Sequence, residues 1–328
     1  MASIIPNLSA AIIAGLSTAT IAGLTTEDWA AFSTAQIVAL TSAQVAVIPS
    51  ASVSALSTDH IGAFETGDLR AINSAALRAL SSDQLAALNS NQVGALTTGQ
   101  VASLTTTQVA GLTTDDFKAL VTAQVAALTT AQATALTTDQ IGVVESADLR
   151  ALSSAALRAW STDQIAALGS DSMGALSTVQ VAALTTAQVS SLLSDDLNAL
   201  VTSQFAALTT AQVNALTAGQ ISNLTSDDLR ALGTAQYAAM GTTQVGSFTT
   251  DQIGALESAD LRALNSTALR SLSSDQLAAL TSDQVATLTT AQVAALTTTQ
   301  VAGLTTDDFN ALGTAQVAAL TSAQASVL

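Results

Sequence analysis

The stretch LTTAQVAALTTTQVAGLTTDDFNAL, from Leu288 to Leu312, repeats one eight-residue pattern three times. Continuing the same spacing in both directions covers all 328 residues. We number the positions as slots 1 to 8, so that slot 8 falls on Leu8, Leu16 and every eighth residue. All 41 slot 8 residues are apolar, and 33 of them are leucine. The chain is therefore an array of 41 octads in register, with no insertion or deletion between them.

The polar residues are confined to particular slots. Slot 2 is Ser or Thr in 38 of 41 octads, all 24 glutamines occupy slot 4, all eight Lys and Arg residues occupy slot 6, and the 24 acids occupy slots 1, 3 and 4. A short helix favours this order, with a hydroxyl N-cap first, acids near its positive end and cations near its negative end. We expect the slot 2 hydroxyl to cap a helix that runs from slot 3 to slot 8.

The apolar slots 5 and 8 lie three positions apart, so they share one face of such a helix. A helix this short is unstable alone and must pack on its neighbours. The sequence therefore predicts an all-α solenoid, a superhelix of short helices with one helix per octad. A β-solenoid is the alternative, because Thr and Val favour strands. The pattern does not fix the number of octads per turn.

A longer repeat lies on top of the octads. The segment ETGDLRAINSAALRALSSDQ, which starts at Glu65, recurs in closely similar form from Glu145 and from Glu257. These block repeats, near 65–83, 145–163 and 257–275, are separated by whole octads. Because octads can be added without breaking a stack, we expect a single continuous repeat solenoid over residues 1–328.

Composition limits the partners and the compartment. The formal net charge of −16 repels nucleic acid and anionic membranes. No run approaches the roughly 18 apolar residues of a membrane helix, so we expect no membrane insertion. Cysteine is absent, which is typical of many exported bacterial proteins and equally compatible with the cytosol. The opening stretch MASIIPNLSAAIIAGL lacks the basic region of a Sec signal peptide.

Acid doublets in slots 3 and 4 are candidate calcium ligands, because Ca²⁺ binds carboxylate oxygens. The other interpretation is that they complement the helix dipole and stay solvated. Neither the spacing of a calcium loop nor any other cofactor motif is present. The candidate metal ligands are Asp115, Asp116, Asp195, Asp196, Asp227, Asp228, Asp307 and Asp308.

Each block repeat carries one cluster of two arginines and three acids. We interpret the cluster as an intramolecular ion network that is shared in part with another subunit. Its three copies are Glu65, Asp68, Arg70, Arg78 and Asp83; Glu145, Asp148, Arg150, Arg158 and Asp163; and Glu257, Asp260, Arg262, Arg270 and Asp275.

Unbroken octads of the LTTAQVAA type resemble the Leu, Thr and Ala rich repeats of large bacterial surface and extracellular proteins. These include surface-layer proteins of Gram-negative bacteria that are secreted by a type I route without a signal peptide. The resemblance implies an acidic, cysteine-poor protein that lies outside the cell or on its surface and often depends on calcium. Glycine-rich calcium nonapeptides, another feature of that class, are missing from this chain.

The leading functional hypothesis is a structural protein that self-assembles into a filament, a tube or a surface-layer lattice, with itself as partner. The competing hypothesis is a monomeric binding scaffold or adhesin stalk that recognises a protein or a cell-surface glycan. A minor alternative is an ice-binding threonine array, although slot 1 varies too freely for one. We expect no enzyme activity, because the chain has no cysteine, one histidine and no phosphate-binding loop.

Overall fold

A computed structural model describes residues 3–328. These residues contain one 3-10 helix, Ile5–Asn7, and 40 α-helices of four to seven residues, with one helix in every octad and no strand. The prediction of an all-α solenoid is confirmed, and the β alternative is wrong for the described residues. None of these helices has the length and apolarity needed to cross a bilayer.

The chain divides into two compact units, Met1–Leu168 and Gly169–Leu328. Helices of the first unit, α1 to α20 in chain order, are Ala10–Ala14, Thr18–Ala22, Thr26–Ala30, Thr34–Val38, Ser42–Val45, Ser50–Val53, Thr58–Gly62, Thr66–Leu69, Ser74–Ala79, Ser82–Ala86, Ser90–Ala95, Thr98–Ser103, Thr106–Ala110, Thr114–Lys118, Thr122–Ala126, Thr130–Thr134, Thr138–Gly142, Ser146–Ala151, Ser154–Ala159 and Thr162–Ala166. Helices of the second unit, α21 to α40, are Gly169–Ala175, Thr178–Ala183, Thr186–Ser191, Ser194–Asn198, Thr202–Ala207, Thr210–Asn214, Ala218–Asn223, Ser226–Ala231, Thr234–Ala239, Thr242–Gly246, Thr250–Ala255, Ser258–Ala263, Ser266–Leu269, Ser274–Ala278, Ser282–Thr287, Thr290–Ala295, Thr298–Ala302, Thr306–Ala311, Thr314–Ala318 and Ser322–Ala325. The prediction of one continuous array stays a prediction.

Within each unit, every helix packs on the third helix after it. In the first unit α1 packs on α4 and α2 on α5, and the pattern continues to α17 on α20; in the second it runs from α21 on α24 to α37 on α40. One coil of the solenoid is therefore three octads, and each unit is a stack of three-sided coils.

The helix cap lies one slot earlier than the sequence predicted. Thr97, in slot 1, has extended backbone angles (φ −75°, ψ 157°), and its side chain accepts a hydrogen bond from the backbone N–H of Gln100. Slot 2 is the first helical residue instead of the cap. The preceding slot 8 residue, Leu96, is also extended (φ −57°, ψ 146°). The bend between helices is thus two extended residues that need no glycine, and among the described residues only Gly169 has a positive φ, of 69°.

Slots 5 and 8 form the core, as predicted. Val101 in slot 5 is fully buried and Leu104 in slot 8 nearly so. Burying such a side chain contributes roughly 1.5–3 kcal/mol, which is what holds these short helices together. The coil formed by residues 305–328 is more open, since Val317 and Leu328 are 40% and 60% exposed.

Candidate functional site: the glutamine ladder and the charged motifs

The slot 4 glutamines connect each coil to the coil before it. The side-chain Oε1 of Gln100 accepts the backbone N–H of Thr97 at 2.7 Å. Its Nε2 donates to the carbonyls of Leu69 at 2.7 Å and Ile72 at 2.9 Å, which lie at the end of α8. One buried amide thus completes a capping box and donates to two carbonyls at the end of a helix in the previous coil.

The same bridge recurs through both units, and we call it the glutamine ladder. Its members all donate to backbone carbonyls of the previous coil and are, in the first unit, Gln36, Gln44, Gln84, Gln92, Gln100, Gln108, Gln124, Gln132, Gln140 and Gln164. In the second unit they are Gln204, Gln212, Gln220, Gln236, Gln244, Gln252, Gln276, Gln284, Gln292, Gln300, Gln316 and Gln324. Sequence analysis found the glutamines in one slot but missed this role.

In two of the three octads whose slot 4 is alanine, asparagine in slot 1 replaces the glutamine. Asn73, in slot 1, accepts the backbone N–H of Ala76 at 2.8 Å and donates to the carbonyl of Ile48 at 2.9 Å. Asn265 makes the same two bonds, with Ala268 at 2.8 Å and with the carbonyl of Met240 at 2.9 Å. The cap and the link between coils are kept, although the amide has moved from slot 4 to slot 1.

Aspartate in slot 4 reverses the polarity of the link, because a carboxylate only accepts hydrogen bonds. For four of the eight slot 4 aspartates, a serine hydroxyl in slot 2 of the previous coil supplies the donor. Ser42 donates to Asp68 at 2.7 Å, and Ser90 donates to Asp116 at 2.9 Å. The second unit has the equivalent pairs Ser170 with Asp196 at 2.9 Å and Ser282 with Asp308 at 3.2 Å.

The candidate calcium ligands are divided between surface and interior. Their slot 3 members, Asp115, Asp195, Asp227 and Asp307, are exposed. The slot 4 partners Asp116, Asp196 and Asp308 are buried, so they do not stay solvated as the dipole interpretation supposed. Asp228 is half-buried and accepts the hydroxyl of Thr225 at 2.6 Å. Within residues 3–328, no three His, Asp or Glu side chains are placed to hold one metal ion. Calcium binding by the doublets stays a hypothesis.

The arginine clusters lie on the outside of the coils. Arg70, Arg78, Arg262 and Arg270 are exposed and have no ion pair within the described part of the chain. One ion pair of the described residues, between Arg230 and Asp227 at 3.0 Å, lies outside the three clusters. The remaining acids divide by slot: Glu65, Glu145 and Glu257 are exposed N-caps, Asp83, Asp163 and Asp275 are exposed in slot 3, and Asp148 is half-buried. An intramolecular network through all five residues of a cluster stays a prediction.

Asp260 differs from the other buried acids. Thr234 occupies the place that a serine fills in the other pairs, and within the described residues no hydroxyl donates to the Asp260 carboxylate. Burial, followed by the negative charge of Glu257, raises the pKa of Asp260 to about 6. Burial also raises the pKa of Tyr237, with Asp260 and Glu257 adding to the effect. The Tyr237 hydroxyl donates to the carbonyl of Leu229 at 2.9 Å.

Two surface grooves lie beside equivalent arginines. A groove of about 460 Å³ is lined by Arg70, Thr97, Thr98, Val121 and Gln124, together with Gly94, Ala95 and Leu96. A second groove, of about 320 Å³, is lined by Arg262, Thr289, Thr234, Ala259 and Ala263. Each therefore combines a slot 6 guanidinium with an N-cap threonine of the next coil, Thr97 or Thr289.

Fold and site together define an octad-repeat protein, an all-α solenoid whose polar slots connect successive coils. The ALTTAQ repeat profile matches seven segments, at residues 21–58, 61–98, 109–144, 141–178, 191–226, 223–257 and 253–290. Because these segments cover more than half of the chain, the protein belongs to the ALTTAQ repeat family.

Comparisons with other proteins add little. No curated protein matches the chain. Among solved structures, the chain is similar to the leucine-rich repeat-containing protein LegL7 from Legionella pneumophila, with 13% identity over 81% of this chain and 78% of that chain and a TM-score of 0.16. A likeness with so low a TM-score carries no argument about fold or function.

Proposed function

We propose that the protein is a structural, self-assembling protein of the bacterial cell exterior that forms a filament, a tube or a surface-layer lattice. The observation that carries the proposal is the glutamine ladder. Polar side chains that a catalytic or ligand site would need are used instead to join one coil to the next. A chain built in this way is suited to mechanical continuity, and we propose no enzyme activity for it.

Exposed apolar side chains within the first unit support contact with another copy. Val38 and Val121 are 46% and 55% exposed. Burial of such side chains against a second chain is favourable. Contacts between different surfaces of identical chains extend without closing and therefore build filaments or lattices.

The chemistry of the chain and its resemblance support the proposed exterior location. A chain with no cysteine has no thiol that an oxidising compartment could convert to a disulfide. Its charge of −16 keeps it soluble between assembly events. The octads also resemble repeats of surface and extracellular bacterial proteins. Labelling intact cells that express the full chain with a membrane-impermeant amine reagent tests the location, since Lys118 is exposed.

Assembly is tested by sedimentation velocity and negative-stain electron microscopy of the purified chain over a range of concentrations, with and without Ca²⁺. The proposal expects species much larger than 32.7 kDa, with a repeating appearance in the images. A calcium-dependent shift in mass would place the ion between copies and implicate the exposed members of the acid doublets. A monomer at every concentration, with and without Ca²⁺, would contradict self-assembly.

The competing function, a recognition scaffold for a protein or glycan, is favoured by one observation. Large apolar residues occupy exposed positions in one stretch of the second unit: Val179, Leu193 and Val201 are 68%, 67% and 52% exposed. A triple change of these residues to Thr tests this alternative. Loss of cell-surface binding by the variant, with assembly unchanged, would favour a recognition surface.

No observation favours the ice-binding alternative. Its threonines would have to offer their hydroxyls to water on a flat face. Slot 1 threonines lie at the bends instead, and their hydroxyls accept helix N–H groups, as Thr97 does from Gln100 at 3.2 Å.

A further inference from the structure

Exposed acids in slot 3 are aligned from coil to coil. Because one coil is three octads, residues three octads apart in sequence lie in the same slot of stacked helices. Twelve of the thirteen slot 3 acids have another slot 3 acid at this separation in the same unit, and Glu27 is the exception. We call these sets acid columns; they are Asp59 with Asp83, Asp115 with Asp139 and Asp163, Asp171 with Asp195, Asp227 with Asp251 and Asp275, and Asp283 with Asp307.

The fold does not require this alignment. An acid in slot 3 complements the dipole of its own helix wherever that helix lies. Stacked helices are roughly 8–10 Å apart, so the aligned carboxylates repel one another across about one Debye length at about 0.1 M salt. Alanine fills slot 3 equally well at Ala35 and Ala43, where the same helix forms. Folding of the isolated chain therefore does not explain why the acids are aligned in columns.

The two grooves lined by Arg70 and Arg262, which we call the arginine grooves, are the chemical complement of the acid columns. Arg70 and Arg262 each line a groove together with an N-cap threonine, and the grooves occupy equivalent places in the two units. A guanidinium fork binds carboxylates through two parallel hydrogen bonds. Neither arginine has an acid within ion-pair distance in the described residues, so both remain available to a partner.

We propose that the acid columns of one copy bind the arginine grooves of a second copy. This inference rests on the proposed function and names its lateral contact. The chain itself is the favoured occupant because it carries both complementary surfaces, 24 acids and eight cations in restricted slots. The two surfaces differ, so each copy can donate a column and accept one at the same time, which extends the assembly sideways.

The strength of this contact depends on the salt concentration and on how many ion pairs form together. One exposed ion pair contributes only about 0.2–1 kcal/mol, so the pairs of Arg70 and Arg262 must form together. Raising NaCl from about 0.05 M to about 0.5 M shortens the screening length from roughly 14 Å to about 4 Å and weakens every pair. We therefore expect lateral association of the wild-type chain to fall steeply over that range, whereas contacts through apolar coil surfaces persist or strengthen.

The experiment compares two full-length variants with one control. Arg70→Gln with Arg262→Gln removes both guanidinium groups. Asp→Asn at the six residues of the two longest columns removes the carboxylates. Lys118→Gln is the matched control, because it removes an exposed slot 6 cation that lines neither groove. All of these side chains are exposed. Far-ultraviolet circular dichroism and the urea midpoint check that each variant folds.

The expected results are specific. At low salt, each variant alone associates about tenfold more weakly than wild type, the effect of about 1.4 kcal/mol over the pairs of both grooves, and the control is unchanged. Mixing the two variants restores association, because one keeps its arginines and the other keeps its acids. Scattering and sedimentation of the single and mixed chains report both effects.

Three outcomes overturn the inference. Variants that associate like wild type would show that self-assembly uses other contacts and would leave the proposed function standing. Failure of the mixture to associate would show that the two surfaces do not face each other. A wild-type chain that stays monomeric at low and high salt would remove the proposed function together with this contact.

Discussion

Helices α8 and α32 begin two copies of the same charged motif, yet their slot 4 aspartates lie in different surroundings. Asp68 receives the hydroxyl of Ser42 from the previous coil at 2.7 Å. Asp260 has Thr234 in the equivalent place, receives no hydroxyl among the described residues and has a pKa of about 6. The local sequences are nearly identical. The preceding coil therefore determines whether a slot 4 aspartate has a hydrogen-bond donor.

The largest effect is expected when a ladder glutamine is replaced by an acid that, like Asp260, is buried without a hydrogen-bond donor. Gln100→Glu keeps the shape and replaces a donor with an acceptor opposite the carbonyls of Leu69 and Ile72. We expect the free energy of unfolding to fall by about 3 kcal/mol at neutral pH, since a buried charge would lack partners. Urea unfolding measures the change. Asp83→Asn, an exposed slot 3 control, should change it little.

A smaller loss is expected when Asp68 is made to resemble Asp260. Ser42→Ala removes the hydroxyl that donates to the carboxylate. Hydrogen bonds to charged groups contribute about 1.5–3 kcal/mol, so we expect a loss of about 2 kcal/mol at pH 7. An unfolding curve identical to that of wild type would show that the Ser42 bond does not stabilise the fold. Ser50→Ala, on the neighbouring helix, is the control.

Removing the charge of Asp260 should stabilise the second unit. Asp260→Asn is expected to raise the free energy of unfolding by about 1 kcal/mol at pH 7, which is similar to the net contribution of one hydrogen bond. Because the folded pKa of Asp260 lies above the ordinary value of 3.8, the folded state binds more protons between pH 4 and 6. Wild type should therefore gain stability from this group as the pH falls through 6.

The pH profile of the variant provides the check. The stability difference between Asp260→Asn and wild type should shrink as the pH is lowered from 7 to 4, because wild type becomes protonated. A difference that is constant over this range would mean that Asp260 titrates with an ordinary pKa.

The smallest effect is expected from changing how the hydroxyl of residue 234 is held. Thr234 has a hydroxyl that does not donate to Asp260, and Thr234→Ser removes the γ-methyl, so that the hydroxyl is freer to turn toward Asp260 as Ser42 does toward Asp68. We expect a gain of about 0.5 kcal/mol at pH 7, the lower end for one hydrogen bond, and a pKa of Asp260 closer to its usual value. Titration followed by ¹³C NMR of the Asp260 carboxyl measures the shift. An unchanged pKa would mean that the hydroxyl does not reach it.

The fold class and the core were predictable because they depend on local pattern. Slots 5 and 8 are three positions apart, and their burial at Val101 and Leu104 follows from helix geometry. The cap was placed one slot late because hydroxyls fill slots 1 and 2 alike. Reading Thr97 and Gln100 as a capping box would have corrected it, since the box needs a spacing of three.

The number of octads per coil depends on contacts between distant residues, so the octad pattern alone could not give it. The partners of the slot 4 side chains were hidden for the same reason: Ser42 and Asp68 are 26 residues apart. The exposed arginines were found by slot, but the grooves beside Arg70 and Arg262 form only when successive coils stack.

Distances between spin labels test the three-octad coil most directly, because the chain has no cysteine of its own. Labels at Thr107→Cys and Ala131→Cys, three octads apart, occupy the same slot of stacked helices. We predict a separation of roughly one helix spacing, about 8–10 Å before label flexibility, which is shorter than that between Thr107→Cys and Asp139→Cys, four octads apart. A shorter distance for the four-octad pair would contradict the three-octad coil and the glutamine ladder with it.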